Sequence, residues 1–148
     1  MDSLTTKIKE MLAAAGVEPK DHEKLAQPLV EYARSLKDMS GVVSLEIGFR
    51  PVPADYPRDF GDFPQLGVLH LVTVVESKDF SKEADRETWW KLIKQEDVIL
   101  DQHKRVPVEF NIGPLDRFHT RTGPYIFEKM APEGTKHLLT ITKGDWDV

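Results

Sequence analysis

The sequence predicts an α+β fold: a mainly antiparallel sheet of about five strands, its curvature left open, with two N-terminal helices and one helix between strands packed on one face. Three observations carry this reading. Helical periodicity occupies the first third of the chain, period-two alternation replaces it from about Val42, and the strand-like runs then cluster instead of alternating regularly with helices. The 148 residues are read as one globular unit, 1–148.

Leu4, Ile8, Met11, Leu12 and Ala15 recur at helical spacing between Ser3, a good cap, and Gly16, a stop. A second helical face, Leu25, Leu29, Ala33 and Leu36, begins at Asp21 and ends near Ser40-Gly41. Pro28 inside it predicts two short pieces or one kinked helix. Val43, Leu45, Ile47 and Phe49 then alternate with Val42, Ser44, Glu46 and Gly48, a strand with one buried face. GVLHLVTVVE, residues 67–76, is apolar on both faces and belongs in the middle of a sheet. The proline- and aromatic-rich tract 51–66 between them is longer than most hairpin connections.

Residues 82–96 predict a third helix with Trp89, Leu92 and Ile93 inward and Trp90 at the edge of that stripe. DVILDQHKR, 97–105, fits neither period cleanly. VPVEFNI, 106–112, points Val106, Val108, Phe110 and Ile112 inward, with Glu109 and Asn111 outward. PYIFEKM and KHLLTIT, 124–130 and 136–142, read as two more strands joined by the turn APEGT, and KGDWDV has no clear element.

Composition narrows the function classes. A net charge of −5 opposes a nucleic-acid partner, which needs a basic field. With no cysteine there is no disulfide framework, thiol nucleophile or thiolate metal site. The first apolar run is too short and too charged for a secretory leader, and no stretch of about 18 apolar residues occurs. A cytoplasmic chain without a membrane partner is the expectation.

The phosphate-loop, dinucleotide, zinc-protease and nucleophile-elbow motifs are all absent. His22, His70, His103, His119 and His137 show neither i, i+2 spacing on a strand nor i, i+4 spacing on a helix, so neither a metal nor another cofactor is expected. The near-repeat His70-Leu-Val-Thr73 and His137-Leu-Leu-Thr140 resembles the paired strands of two-histidine phosphodiesterases, which carry His-x-Thr. Here the spacing is one residue longer, so on regular strands each histidine and its threonine face opposite ways. Only a bulge in both strands would align them, and two ordinary strands are the expectation.

The stretch DRFHTRTGPY, 116–125, places Arg117, His119 and Arg121 on one side of an extended segment, a clamp for a carboxylate or phosphate, or else a hydrated turn. Glu109 becomes a general base if its face lines a cavity, and His70 is either a satisfied buried histidine or the polar group of an apolar site. Tyr56, Phe60 and Phe63 in the long tract, with Trp90, offer aromatic anchors to a partner. Two functions follow. The first is a protein-binding or adaptor domain that uses tract 51–66 and Trp90, its partner another protein or a second copy. The alternative is a small metal-independent enzyme or ligand-binding protein for an anionic, phosphorylated or carboxylate molecule. In that version Arg117, Arg121 and Asn111 hold the ligand and His70, His119 or Glu109 handles the proton.

Overall fold

The computed structural model describes residues 3–51, 67–76, 87, 89–101, 104–115 and 122–146. Helix α1, Ser3–Ala14, buries Leu4, Ile8, Met11 and Leu12. It ends in a Schellman motif: the Val17 N–H donates to the Leu12 carbonyl and the Gly16 N–H to that of Ala13, both at 3.0 Å. Gly16 adopts φ 87°, which a side chain would oppose. Helix α2, Pro19–Leu36, runs unbroken through Pro28, which settles the choice left open by that proline. The Leu25, Leu29, Ala33 and Leu36 stripe is buried, and packing of that face outweighs the single backbone bond the proline forgoes.

Five strands follow: β1, Val42–Pro51; β2, Gly67–Val75; β3, Lys94–Asp101; β4, Lys104–Pro114; and β5, Lys136–Thr142. Their order in the sheet is β3-β4-β2-β1-β5. Pairing is antiparallel except between β2 and β4, which run parallel. The mixed, mostly antiparallel α+β sheet is thus the expected class, and β2, buried along all nine residues, is its central strand. Leu45, Ile47 and Phe49 of β1, Leu69 and Leu71 of β2, and Val106, Val108, Phe110 and Ile112 of β4 form a core with α1 and α2. At its centre Tyr32 of α2 shares a 2.6 Å hydrogen bond with Thr73 of β2. A register shift between Val42 and Ser44 sends Val43 to the opposite face, away from the stripe in which alternation had placed it.

Two expectations require correction. The helix predicted over 82–96 cannot reach its far end, because β3 starts at Lys94. Tight bonds from the Leu92 and Ile93 N–H groups to the carbonyls of Trp89 and Trp90 turn the chain, and the Lys94 ammonium lies 4.8 Å above the Phe110 ring centre. Trp89 and Leu92 are buried as expected, whereas Ile93 is 44% exposed. The second correction is PYIFEKM, which is not a strand but helix α3, Gly123–Met130, starting with proline in its first turn. Ile126 and Phe127 pack on Val72 and Val74, the sheet face opposite α1 and α2. The APEGT turn persists, closed by Thr135 N–H to the Pro132 carbonyl, but connects α3 to β5. A short helix α4, Lys143–Trp146, follows; Asp145 in it pairs with Lys7 of α1. No helix among the described residues is long and apolar enough to cross a membrane.

The seat of α3 is Gly48. A Cβ there would overlap the Phe127 ring and come 2.6 Å from the Lys136 carbonyl oxygen, so the close approach of helix, β1 and β5 needs a glycine. Gly48→Ala is expected to cost about 1–3 kcal/mol through overpacking, seen as a lower urea midpoint at unchanged m. A variant as stable as the wild type would remove Phe127 from that seat.

Candidate functional site

Strand register sorts the second face into rows. One row crosses β4, β2, β1 and β5 as Glu109, His70, Gly48 and His137; the next reads Asn111, Val72, Glu46 and Thr140. His70 and His137 therefore share a face, about 10 Å apart at two strand spacings. Phe127 stands over the glycine between them, its ring centre 5.1 Å from that of His137.

On the β1–β5 side the polar groups satisfy one another. Glu46 is fully buried; its Oε1 accepts from His137 Nε2 at 2.9 Å and from the Thr140 hydroxyl, and its Oε2 from the Ser44 hydroxyl at 2.6 Å. His137 and Thr140 can both reach it because β5 carries a bulge: Ile47 pairs with Leu139 and Gly48 with His137, leaving Leu138 as an extra residue. Gly123 lets the first turn of α3 close over Glu46, since a Cβ there would strike its carboxylate and lie 2.7 Å from the Ser44 hydroxyl. The positive end of α3 thus faces the carboxylate, a favourable placement.

On the β2–β4 side satisfaction is incomplete. His70, 3% exposed, lies with Nδ1 3.1 Å from Oε2 of the half-buried Glu109. The carboxylate accepts, so Nδ1 carries the proton and the neutral ring keeps its lone pair on Nε2. Among the described residues that buried Nε2 has no hydrogen-bond partner, and neither has the buried Nε of Arg50, which lies on the same face of β1. A buried polar group left unpaired costs about 1–3 kcal/mol. Burial lowers the His70 pKa; the Glu109 carboxylate opposes this and the Arg50 guanidinium reinforces it, so the ring is neutral near pH 7. β2 has no bulge against β4, and Thr73 points to the helix side to meet Tyr32.

Of the residues named from sequence, His70 and Glu109 come together, and Asn111 lies one row further along the same face. Trp90 lies before β3, 65% exposed and apart from this face. His119, Arg117, Arg121, Tyr56, Phe60 and Phe63 fall outside the described residues. Sequence reasoning missed Glu46, Arg50 and Ser44. Their common signal is the polar phase of β1, which reads as a solvent face unless a helix is known to cover it. No group of three His, Asp or Glu residues able to hold a metal occurs among the described residues. No protein-family model matches the chain, and no curated protein or solved structure is significantly similar to it.

Glu46→Ala strips buried Ser44 and partly buried His137 and Thr140 of their common acceptor and is expected to cost about 3 kcal/mol in urea unfolding, with Glu46→Gln losing less. Equal stability of the alanine variant would sink the assignment of Glu46 as the hub. The depressed pKa of His70 sets a pH dependence. Its stability contribution is complete above the ordinary value of 6.5 and is lost as pH falls through the folded pKa, because the unfolded chain takes the proton first. His70→Asn should therefore lose less stability than wild type between about pH 7 and about pH 5; parallel curves would exclude a depressed His70.

Proposed function

We propose that the protein is a small cytoplasmic enzyme, or a ligand-binding protein built on the same site, in which His70 is an acid–base group oriented by Glu109. The observation that supports this reading is the contrast within one sheet face: His70 Nδ1 is bound to Glu109 at 3.1 Å while its buried Nε2 has no partner among the described residues. An imidazole fixed at one nitrogen and unpartnered at the other has the arrangement of an oriented general base. Nε2 takes a proton from an O–H, N–H or acidic C–H of the bound molecule, and the imidazolium formed is stabilised by the Glu109 carboxylate. The proton returns from Nε2 to the product. Burial favours the neutral form before the step and makes the imidazolium a ready donor after it. A chain without cysteine suits a reducing compartment.

The test is an imidazole-nitrogen NMR screen of the labelled protein against a library of small metabolites. A saturable ligand that moves the His70 Nε2 resonance, and whose binding or turnover is lost in His70→Asn, is the expected result. If no ligand moves that resonance, the acid–base reading fails.

Protein recognition is the second reading, and the exposed surface around β3 favours it: Trp90 is 65% exposed, Ile99 51% and Ile93 44%. Of tract 51–66, the other half of that expectation, Pro51 ends β1 and residues 52–66 lie outside the described residues. If the surface joins two copies of the chain, light scattering should find a dimer that Trp90→Ser dissociates; a wild-type monomer at all concentrations would leave no self-association there.

A further inference from the structure

We propose that Arg50 and His70 together form a subsite for a small molecule that carries an anionic group with a proton donor beside it, as in a 2-hydroxy acid or a hydrogen phosphate. The inference rests on the acid–base reading of His70 and names the ligand class for that site.

Register supplies the first argument. Gly48 pairs with His70 and Arg50 with Val68, so Arg50 is the diagonal neighbour of His70 across β1 and β2, on the same face. At the position directly opposite His70, β1 offers only a glycine. Arg50 is therefore the nearest residue of β1 on that face, toward the Pro51 end, able to put a charged group beside the ring. The two charges sense each other, since the guanidinium works against protonation of His70.

The second argument is what remains unpaired. Glu109, the acid beside His70, is committed to Nδ1. Among the described residues the Arg50 Nε has no acceptor and Nε2 of His70 no partner, although both atoms are buried. Neighbouring orphans of opposite character define the ligand. Arg50 offers N–H donors in a planar fork, which matches a carboxylate or phosphate. Neutral His70 offers a lone pair, which a bare anionic oxygen cannot use. The complement is an anionic oxygen pair for Arg50 with an O–H adjoining it for Nε2. Glycolate and hydrogen phosphate have both groups; acetate, ionised at neutral pH, has only the first.

The experiment titrates the intact protein at neutral pH with inorganic phosphate, glycolate and acetate, following His70 nitrogen resonances by NMR and affinity by calorimetry. Wild type should bind phosphate or glycolate saturably with a shift at Nε2, and acetate more weakly. Which of the two binds better assigns the source of the anion. Arg50→Gln should weaken binding about ten-fold to a hundred-fold, and its His70 should titrate at a higher pH than in wild type. Arg50→Lys, which keeps the charge but loses the fork, should fall between them and serves if the glutamine variant fails to fold. Unchanged affinity in Arg50→Gln, with His70 still responding to the ligand, would overturn the Arg50 subsite and leave the acid–base reading standing. An unchanged His70 titration in that variant would also overturn it. No response of His70 to any of the three anions would overturn the ligand class; the metabolite screen then decides separately whether His70 binds anything.

Discussion

The second face of the sheet depends on one contact: the ring of Phe127 resting on the backbone of β1 where Gly48 has no side chain. That contact brings α3 down far enough for Ile126 to join Val72 and Val74, and for Gly123 to close over Glu46. Without it the polar phase of β1 would face water, and Ser44, Glu46, Thr140 and His137 would be an ordinary hydrated patch. With it they occupy a region of low dielectric, where an unmatched group is costly and a matched one is held firmly. The same ring partitions the face into a β1–β5 cluster and a β2–β4 cluster.

These clusters contain the same chemistry, a glutamate and a histidine, and differ in saturation. Glu46 is surrounded by three side-chain donors, and its polar atoms are occupied within the fold. Such a network fixes geometry and leaves nothing to offer a ligand. Among the described residues Glu109 is paired with His70, and the buried His70 Nε2 and Arg50 Nε have no hydrogen-bond partner. In native proteins a buried unsatisfied group needs an explanation. Saturation, not the presence of histidine and carboxylate, is therefore what separates the structural cluster from the functional candidate.

The elements legible in the sequence were those whose period matched their burial. α1, the inward faces of β1 and β4, and the central position of β2 follow from Leu4, Ile8, Leu45, Ile47, Val108 and Phe110, whose spacing reports a single core directly. PYIFEKM was misread because three adjacent apolar residues, Tyr125 to Phe127, satisfy neither period over so short a span; Thr122-Gly123-Pro124 was the usable helix-start signal. That single error concealed the site's surroundings. With α3 taken as a strand, nothing covered the outer face, so Glu46 passed as solvent-facing, Arg50 was not singled out and Glu109 was weighed chiefly as an exposed acid. His70 remained visible because a histidine inside a run apolar on both faces has no solvent phase to occupy. Its pairing with Glu109 was not visible, because the parallel register of β2 and β4 joins segments nearly forty residues apart.

The two His-Leu-x-Thr strands show how position in a sheet decides what the same residues can do. Among the described residues β5 is an edge strand, paired only with β1, so inserting Leu138 as a bulge disturbs one ladder and turns His137 and Thr140 to a common acceptor. β2 is central and paired on both sides. An extra residue there would shift its register against β1 and β4 together and carry the Leu69 and Leu71 side chains out of the core. β2 therefore stays regular through His70 and Thr73, and Thr73 is spent on Tyr32 across the sheet. The hydroxyl that might have satisfied His70 is on the wrong side by topology, and that Nε2 lacks a partner among the described residues follows from a histidine placed where the sheet cannot bulge.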